Sequence, residues 1–278
     1  MKRLLLLVLL LVSFSSQAQF WFGPKIGGQI IVPQYQTEAR RDTFKISSKV
    51  NWHAGIAMDY TTESRFEVHT ELMYMRVNNR TQAKDLYFDE TTDSKTVNHF
   101  LTTPLMARVV FMKNSRFKVF VEAGPRLSWW LGGKGSFISD ETEQNASEPG
   151  ERVNFNVMFL KDELEDIEVS DYENKLIVTK PNRLQYALDL GVGWLFDITP
   201  TQRAIVDAKI SWAHSNMAFN DGTTFSEDYF SPYREDMEYR SHMFIVSVAY
   251  MFGYDAALTT KGKSTSNVGG KKAKKYKR

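Results

Sequence analysis

Apolar and polar residues alternate one by one along several stretches of this chain. From Leu184 to Phe196 one face carries Leu184, Tyr186, Leu188, Leu190, Val192, Trp194 and Phe196. The other carries Gln185, Ala187, Asp189, Gly191, Gly193 and Leu195. A period of two is that of an extended strand with two unlike faces. Arg203 to Trp212 sets Ala204, Val206, Ala208, Ile210 and Trp212 against Asp207, Lys209 and Ser211. In Phe117 to Trp130, an apolar row from Phe117 to Trp129 opposes Lys118, Glu122, Arg126 and Ser128. In Phe66 to Met75, Phe66, Val68, Thr70, Leu72 and Tyr74 oppose Glu67, His69 and Glu71. Four further segments fit with less contrast: Phe20 to Val32, Val50 to Tyr60, Leu101 to Phe111 and Met243 to Phe252. These lengths match the roughly nine to eleven residues of a tilted membrane-crossing strand.

The connections between the eight segments alternate in length. Thr61 to Ser64, Lys113 to Ser115 and Thr199 to Thr201 are short and polar. Pro33 to Ser48, Asn78 to Val97, Gly135 to Asn182 and Ser215 to Arg240 are long. Three short turns and four long loops fit an all-β fold, an eight-stranded antiparallel transmembrane β-barrel with long extracellular loops and both termini periplasmic. A soluble sandwich or lipocalin-like barrel would turn the same apolar faces inward. Rings at the segment ends speak for the membrane: Phe20, Phe22, Tyr60, Phe111, Phe117, Trp129, Phe196, Trp212 and Phe252 would form two interfacial girdles.

The chain start supplies an address. Lys2 and Arg3 precede an apolar run, Leu4 to Val12, too short to span a bilayer, and Ser16-Gln17-Ala18 offers small residues to a signal peptidase. Residues 1–18 are therefore expected to be a signal peptide, 19–255 the outer-membrane barrel and 256–278 a basic, disordered periplasmic tail. The chain has no Cys, which excludes disulfides and a lipoprotein signal. Its aromatic content, Phe 19, Tyr 12 and Trp 6, suits strands with interfacial rings.

Charge is unevenly distributed. Of the 35 bases, eight lie in the tail and two in the leader, so residues 19–255 hold 25 bases against all 33 acids, a net of −8. The tail bases are Lys261, Lys263, Lys271, Lys272, Lys274, Lys275, Lys277 and Arg278. Such a tail is either a solubilising end or an attachment to something anionic: phospholipid, cell-wall polymer or an acidic partner. Nucleic acid is excluded by the compartment.

An eight-stranded barrel is just wide enough for side chains to fill it. The inward positions would include Lys25, Asp59, Glu67, His69, Glu71, Arg108, Lys118, Glu122, Arg126, Asp189, Asp207 and Lys209. Unpaired buried charges are costly, so these groups are expected to pair into a network that closes the lumen. Gly23, Gly27, Gly55, Gly124, Gly191 and Gly193 would make room for the long Arg and Lys chains. An ion or proton path is the functional alternative.

Motifs for chemistry are weak. His69-Thr70-Glu71 echoes a zinc deaminase signature, but with no Cys the metal site cannot be completed. Gly262-Lys263-Ser264 lacks the upstream Gly and strand of a phosphate-binding loop. Gly132-Gly133-Lys134-Gly135 lacks a Ser or Thr directly after its Lys and reads as a strand exit. The acidic run Lys161 to Glu168 lacks the spacing of a calcium loop. Val153 to Phe159 and Leu176 to Val178 are apolar enough to project beyond the membrane as a hairpin, where a partner would bind. No metal, cofactor or catalytic residue is expected. The alternative is a lipid A-modifying hydrolase centred on His214, loosely similar to lipid A deacylases of the PagL type. That family separates its His and Ser by one residue, whereas His214 and Ser215 are adjacent and on a strand would face opposite sides.

Several segments together resemble the PorT-like outer-membrane β-barrels of Bacteroidota. They are Gln19 after Ser-Gln-Ala, Phe22-Gly23-Pro24-Lys25-Ile26-Gly27-Gly28, Leu101-Thr102-Thr103-Pro104-Leu105, Val121-Glu122-Ala123-Gly124-Pro125 and Leu188-Asp189-Leu190-Gly191-Val192-Gly193. The Lys-rich tail departs from that pattern. The resemblance implies a non-enzymatic barrel, in a family whose named members take part in type IX secretion and gliding motility, and an accessory role in such machinery is the expectation. Outer-membrane lipid would surround the barrel, and its outer loops and basic periplasmic tail would be the contact surfaces for protein partners.

Overall fold

The computed structural model describes residues 19–35, 44–62, 64–84, 91–112, 115–145, 148–160, 175–219, 222–225 and 233–255. The expected leader, the basic tail and the acidic run from 161 lie outside them.

Eight strands close on themselves. They are Gln19–Tyr35 (β1), Asn51–Thr61 (β3), Phe66–Lys84 (β4), Thr91–Phe111 (β5), Phe117–Ser139 (β6), Leu184–Thr199 (β9), Gln202–Ala213 (β10) and Tyr239–Asp255 (β13). Each pairs antiparallel with the next, and β13 pairs back onto β1 from Gln19↔Asp255 to Tyr35↔Tyr239. Closure leaves the ring no free edge, which is what a strand structure in hydrocarbon requires. Three tight connections and both ends of the described chain lie at one end of the ring, the terminal end. The other end is the loop end.

The alternation read from the sequence is the alternation of the walls. Leu190 is 53% exposed and Asp189, one residue earlier, 1%. The outward apolar rows run from Phe66 to Tyr74 on β4 and from Leu101 to Phe111 on β5. These spans match the crossing length of a bilayer.

The loop end differs from the sequence expectation. Asn78 to Val97 is mostly strand: β4 and β5 continue paired as far as Lys84↔Thr91. The region from 135 to 182 is also structured. β6 runs on to Ser139, a short helix Asp140–Asn145 (α1) follows, and Val153–Phe159 (β7) pairs with β6. Lys175–Val178 (β8) lies parallel to β7, so the expected hairpin is corrected to a parallel pair. Gly222–Phe225 (β11) and Tyr233–Glu235 (β12) extend the sheet, and Phe44–Ser48 (β2) pairs with β4.

The interior is layered, with the charged positions at mid-height and apolar clusters at both ends. At the terminal end an apolar cluster includes Trp21, Phe120, Leu195, Ile205 and Met251. At the loop end a larger one joins Ile31, Met75, Phe100 and Trp130 of the ring to Phe155, Leu176, Met217 and Met237 of the extension. The loop-end sheet thus buries its apolar side over the barrel mouth.

Candidate functional site

Among the described residues the mid-lumen is the densest cluster of buried ion pairs. Lys25 on β1 reaches Glu71 at 2.6 Å and Asp207 at 2.5 Å. Lys209 reaches Glu71 at 2.5 Å and Glu122 at 3.2 Å. Arg108 bonds Glu122 at 2.9 Å and Asp59 at 3.1 Å, with Glu67 at 3.8 Å. Both ring nitrogens of His69 face carboxylates: Nδ1 meets Asp59, and Nε2 meets Glu71 at 2.6 Å. All of these residues are buried.

Two pairs flank this centre. Lys118 bonds Asp197 towards the terminal end. Arg126 lies 3.7 Å from Asp189 towards the loop end, and Ser211 donates to the same carboxylate. Every charged lumen residue expected from the sequence thus lies inside the ring, each beside an opposite charge.

Sequence reasoning missed several members. Arg203 donates to Asp197 at 2.9 Å and stacks 4.2 Å from the Trp21 ring centre. It shares the phase of Asp207 and Lys209, and that was the available signal. His53 bridges Gln29 at 2.5 Å and Ser247 at 2.9 Å. Phe120, which sits 4.1 Å from the Arg108 guanidinium, carries no signal beyond its alternation with Val119 and Val121.

Seven carboxylates take part in the lumen ion pairs: Asp59, Glu67, Glu71, Glu122, Asp189, Asp197 and Asp207. Six permanent cations face them: Lys25, Arg108, Lys118, Arg126, Arg203 and Lys209. His69 lies between Asp59 and Glu71, where a proton on each ring nitrogen would add a seventh positive charge.

The glycines serve two purposes. A Cβ at Gly191 would lie 3.0 Å from both Glu122 and Lys209, so this glycine does clear space for the ionic chains. A Cβ at Gly193 would lie 2.4 Å from the Phe120 ring, so that glycine clears space for an aromatic. At Gly23, Gly55 and Gly124 the obstacle is a carbonyl of the adjacent strand, within about 2.0 Å of the added atom. There the glycine permits close strand approach, which corrects the expectation of room for Arg and Lys.

Among the described residues the lumen side chains are closely packed. Two lumen cavities beneath the loop-end cluster measure about 10 Å³ each. Each is room for a single water. The larger cavity, about 390 Å³, is a vestibule at the terminal end lined by Thr61, Glu67, Lys118 and Arg203.

His214 and Ser215 do not form a catalytic pair. His214 is exposed on the outer wall, stacked on Tyr186 and Trp212. Ser215 is buried and accepts the Tyr186 N–H at 3.0 Å. Among the described residues no group of His, Asp and Glu is arranged to hold a metal ion.

Residues 14–221 match the family model for the outer membrane protein beta-barrel domain. The chain belongs to this family. It is an outer-membrane β-barrel, and among its described residues no helix is long and apolar enough to cross a membrane. Solved structures similar to this barrel include OprG from Pseudomonas aeruginosa (TM-score 0.41, 9% identity, covering 86% of this chain and 97% of that one). Outer Membrane Protein W of E. coli is similar too (TM-score 0.34, 14% identity, 84% and 99% covered). So is the outer membrane protease OmpT from Escherichia coli (TM-score 0.34, 8% identity, 86% and 97% covered). No curated protein matches the sequence.

Proposed function

We propose that this outer-membrane barrel is a non-enzymatic structural or partner-binding component, with its termini and short turns in the periplasm and its loop end outside. The observation that carries this reading is the filled lumen. Ion pairs link opposite walls at mid-height, and apolar clusters pack above and below them. A barrel so filled offers solutes no path and leaves its two ends as working surfaces. The loop-end extension is a packed platform, because the apolar sides of β7 and β8 are spent on closing the mouth.

The resemblance to PorT-like barrels extends the reading to an accessory of type IX secretion or gliding machinery. Protein partners then bind at the outer loops or at the tail from Lys261 to Arg278. The test is affinity capture from membranes extracted with mild detergent, using full-length protein and a form lacking residues 256–278. Partners specific to the full-length form support tail binding, and identical partner sets exclude it. Stepwise conductance from the purified protein in planar bilayers would overturn the closed-barrel reading.

A further inference from the structure

One stretch of the outer wall is strongly basic. Just above the band that spans the membrane, the outward positions of β4, β5 and β6 lie side by side. Arg76 is paired with His99, Asn78 with Val97, and Arg80 with Lys95. Lys134 of β6 is paired with Val97, and Ser136 with Lys95. Segments 76–80, 95–99 and 132–136 contain Arg76, Arg80, Lys95 and Lys134, and not one carboxylate. This occurs in a body whose net charge is −8. Arg80 is engaged by Asp93 at 2.6 Å, above the patch.

The height of the patch is set by its neighbours. Trp52 is paired with Arg76, and Tyr74 and Trp129 lie a step towards the terminal end, with Trp52 and Tyr74 packed 5.7 Å apart. Such rings settle at the boundary between hydrocarbon and headgroups. His99 stacks on Tyr74 and shares a 2.5 Å hydrogen bond with its hydroxyl, which ties the patch to that boundary. Burial lowers the proton affinity of His99, and so do the charges of Arg76 and Lys134. No carboxylate offsets them.

We infer that Arg76, Lys95, Lys134 and His99 form a lateral site for the phosphate groups of lipid headgroups in the leaflet around the loop end. The inference rests on the membrane-barrel reading and deepens its lipid partner. A phosphate at headgroup depth is the anion that meets these side chains sideways, along the wall. Two or more cations on adjacent strands hold it better than a single one.

The test measures lipid retained by detergent-purified full chain, by native mass spectrometry. The probes are a bis-phosphorylated glucosamine-disaccharide lipid, phosphatidylglycerol, and the dephosphorylated form of the first. Two variants are compared with wild type: Arg76→Gln/Lys134→Gln, and Lys180→Gln as a charge control off the patch. The double variant is expected to bind the phosphorylated probes about 30-fold more weakly, the loss due to two cations facing anionic lipid. The control and the dephosphorylated lipid should show no such difference. A preference for one phosphorylated probe identifies which lipid supplies the phosphate. Equal retention of phosphorylated and dephosphorylated lipid overturns the inference, as does an unchanged double variant with a native circular dichroism spectrum. So does patch-dependent binding of soluble dextran sulfate with no lipid retention. A wild-type chain that stays monomeric in buffer without detergent removes the barrel reading as well. An embedded chain blind to phosphate removes this site alone.

Discussion

Lys209 and Glu71 meet at 2.5 Å although their strands stand on opposite sides of the ring. β4 is third and β10 seventh in the closed order of eight, so this one contact spans the lumen. Glu71 also holds Lys25 and His69, which makes it the hub of the interior.

Removing the hub should therefore be costly. Glu71→Leu leaves Lys25 and Lys209 short of a partner in a buried site. Breaking a buried pair costs about 3–5 kcal/mol. Urea unfolding in lipid bilayers should show a loss of that order. Adding Lys209→Met should recover part of it, because it removes one of the stranded charges. A loss below about 1 kcal/mol for Glu71→Leu would mean that water or neighbouring groups solvate the lysines.

Gly193 and Phe120 form a second coupled pair. An added Cβ at Gly193 would meet the Phe120 ring at 2.4 Å. Gly193→Val should destabilise the barrel by about 1–3 kcal/mol through overpacking. In a Phe120→Ala background the same change should cost less, since the ring is gone. A double-mutant cycle in the same unfolding assay reads the coupling, and strict additivity would show that Phe120 simply moves aside.

Above the membrane, Asp93 ties two strands to the extension. Arg80 bonds it at 2.6 Å and Arg152 at 3.0 Å. Burial raises the carboxyl pKa, but the hydrogen bonds and charges of the two arginines outweigh it and hold the group below its ordinary value. A lowered folded-state pKa means that this stabilisation is fully present above the unfolded value of about 3.9. It is lost as pH falls from there through the folded value. Amide exchange in residues 91–95 and 152–154, corrected for intrinsic rates, should therefore quicken across that acid window. Asp93→Asn should exchange faster at neutral pH and lose the acid dependence. A variant that matches wild type at pH 7 would show that the two arginines do not depend on Asp93.

The membrane-crossing part of the fold was legible because lipid outside and ions inside make the two faces chemically opposite. Leu184 to Phe196 shows this most plainly. The lumen charges were legible for the same reason: Asp189, Asp207 and Lys209 break the apolar pattern in phase. Inward apolar residues such as Phe120 and Ile205 were hidden, since a step-two pattern cannot distinguish an apolar lumen residue from a lapse in contrast. The upper parts of β4 and β5 were read as loop because both faces there are polar. Only their mutual pairing, which no local pattern encodes, makes them strands. The parallel arrangement of β7 and β8 was hidden for a related reason, being fixed by partners on β6 and β11.

The account turns on which face of each strand meets hydrocarbon. The chain has no native Cys, so single cysteines can be placed at successive positions from 187 to 195 and spin-labelled in lipid bilayers. Collision with dissolved oxygen should be high at 188, 190, 192 and 194 and low at 187, 189, 191, 193 and 195. Contact with a water-soluble nickel chelate should be low at every position. Oxygen access without a period of two, or with its maxima at the odd positions, would contradict the account.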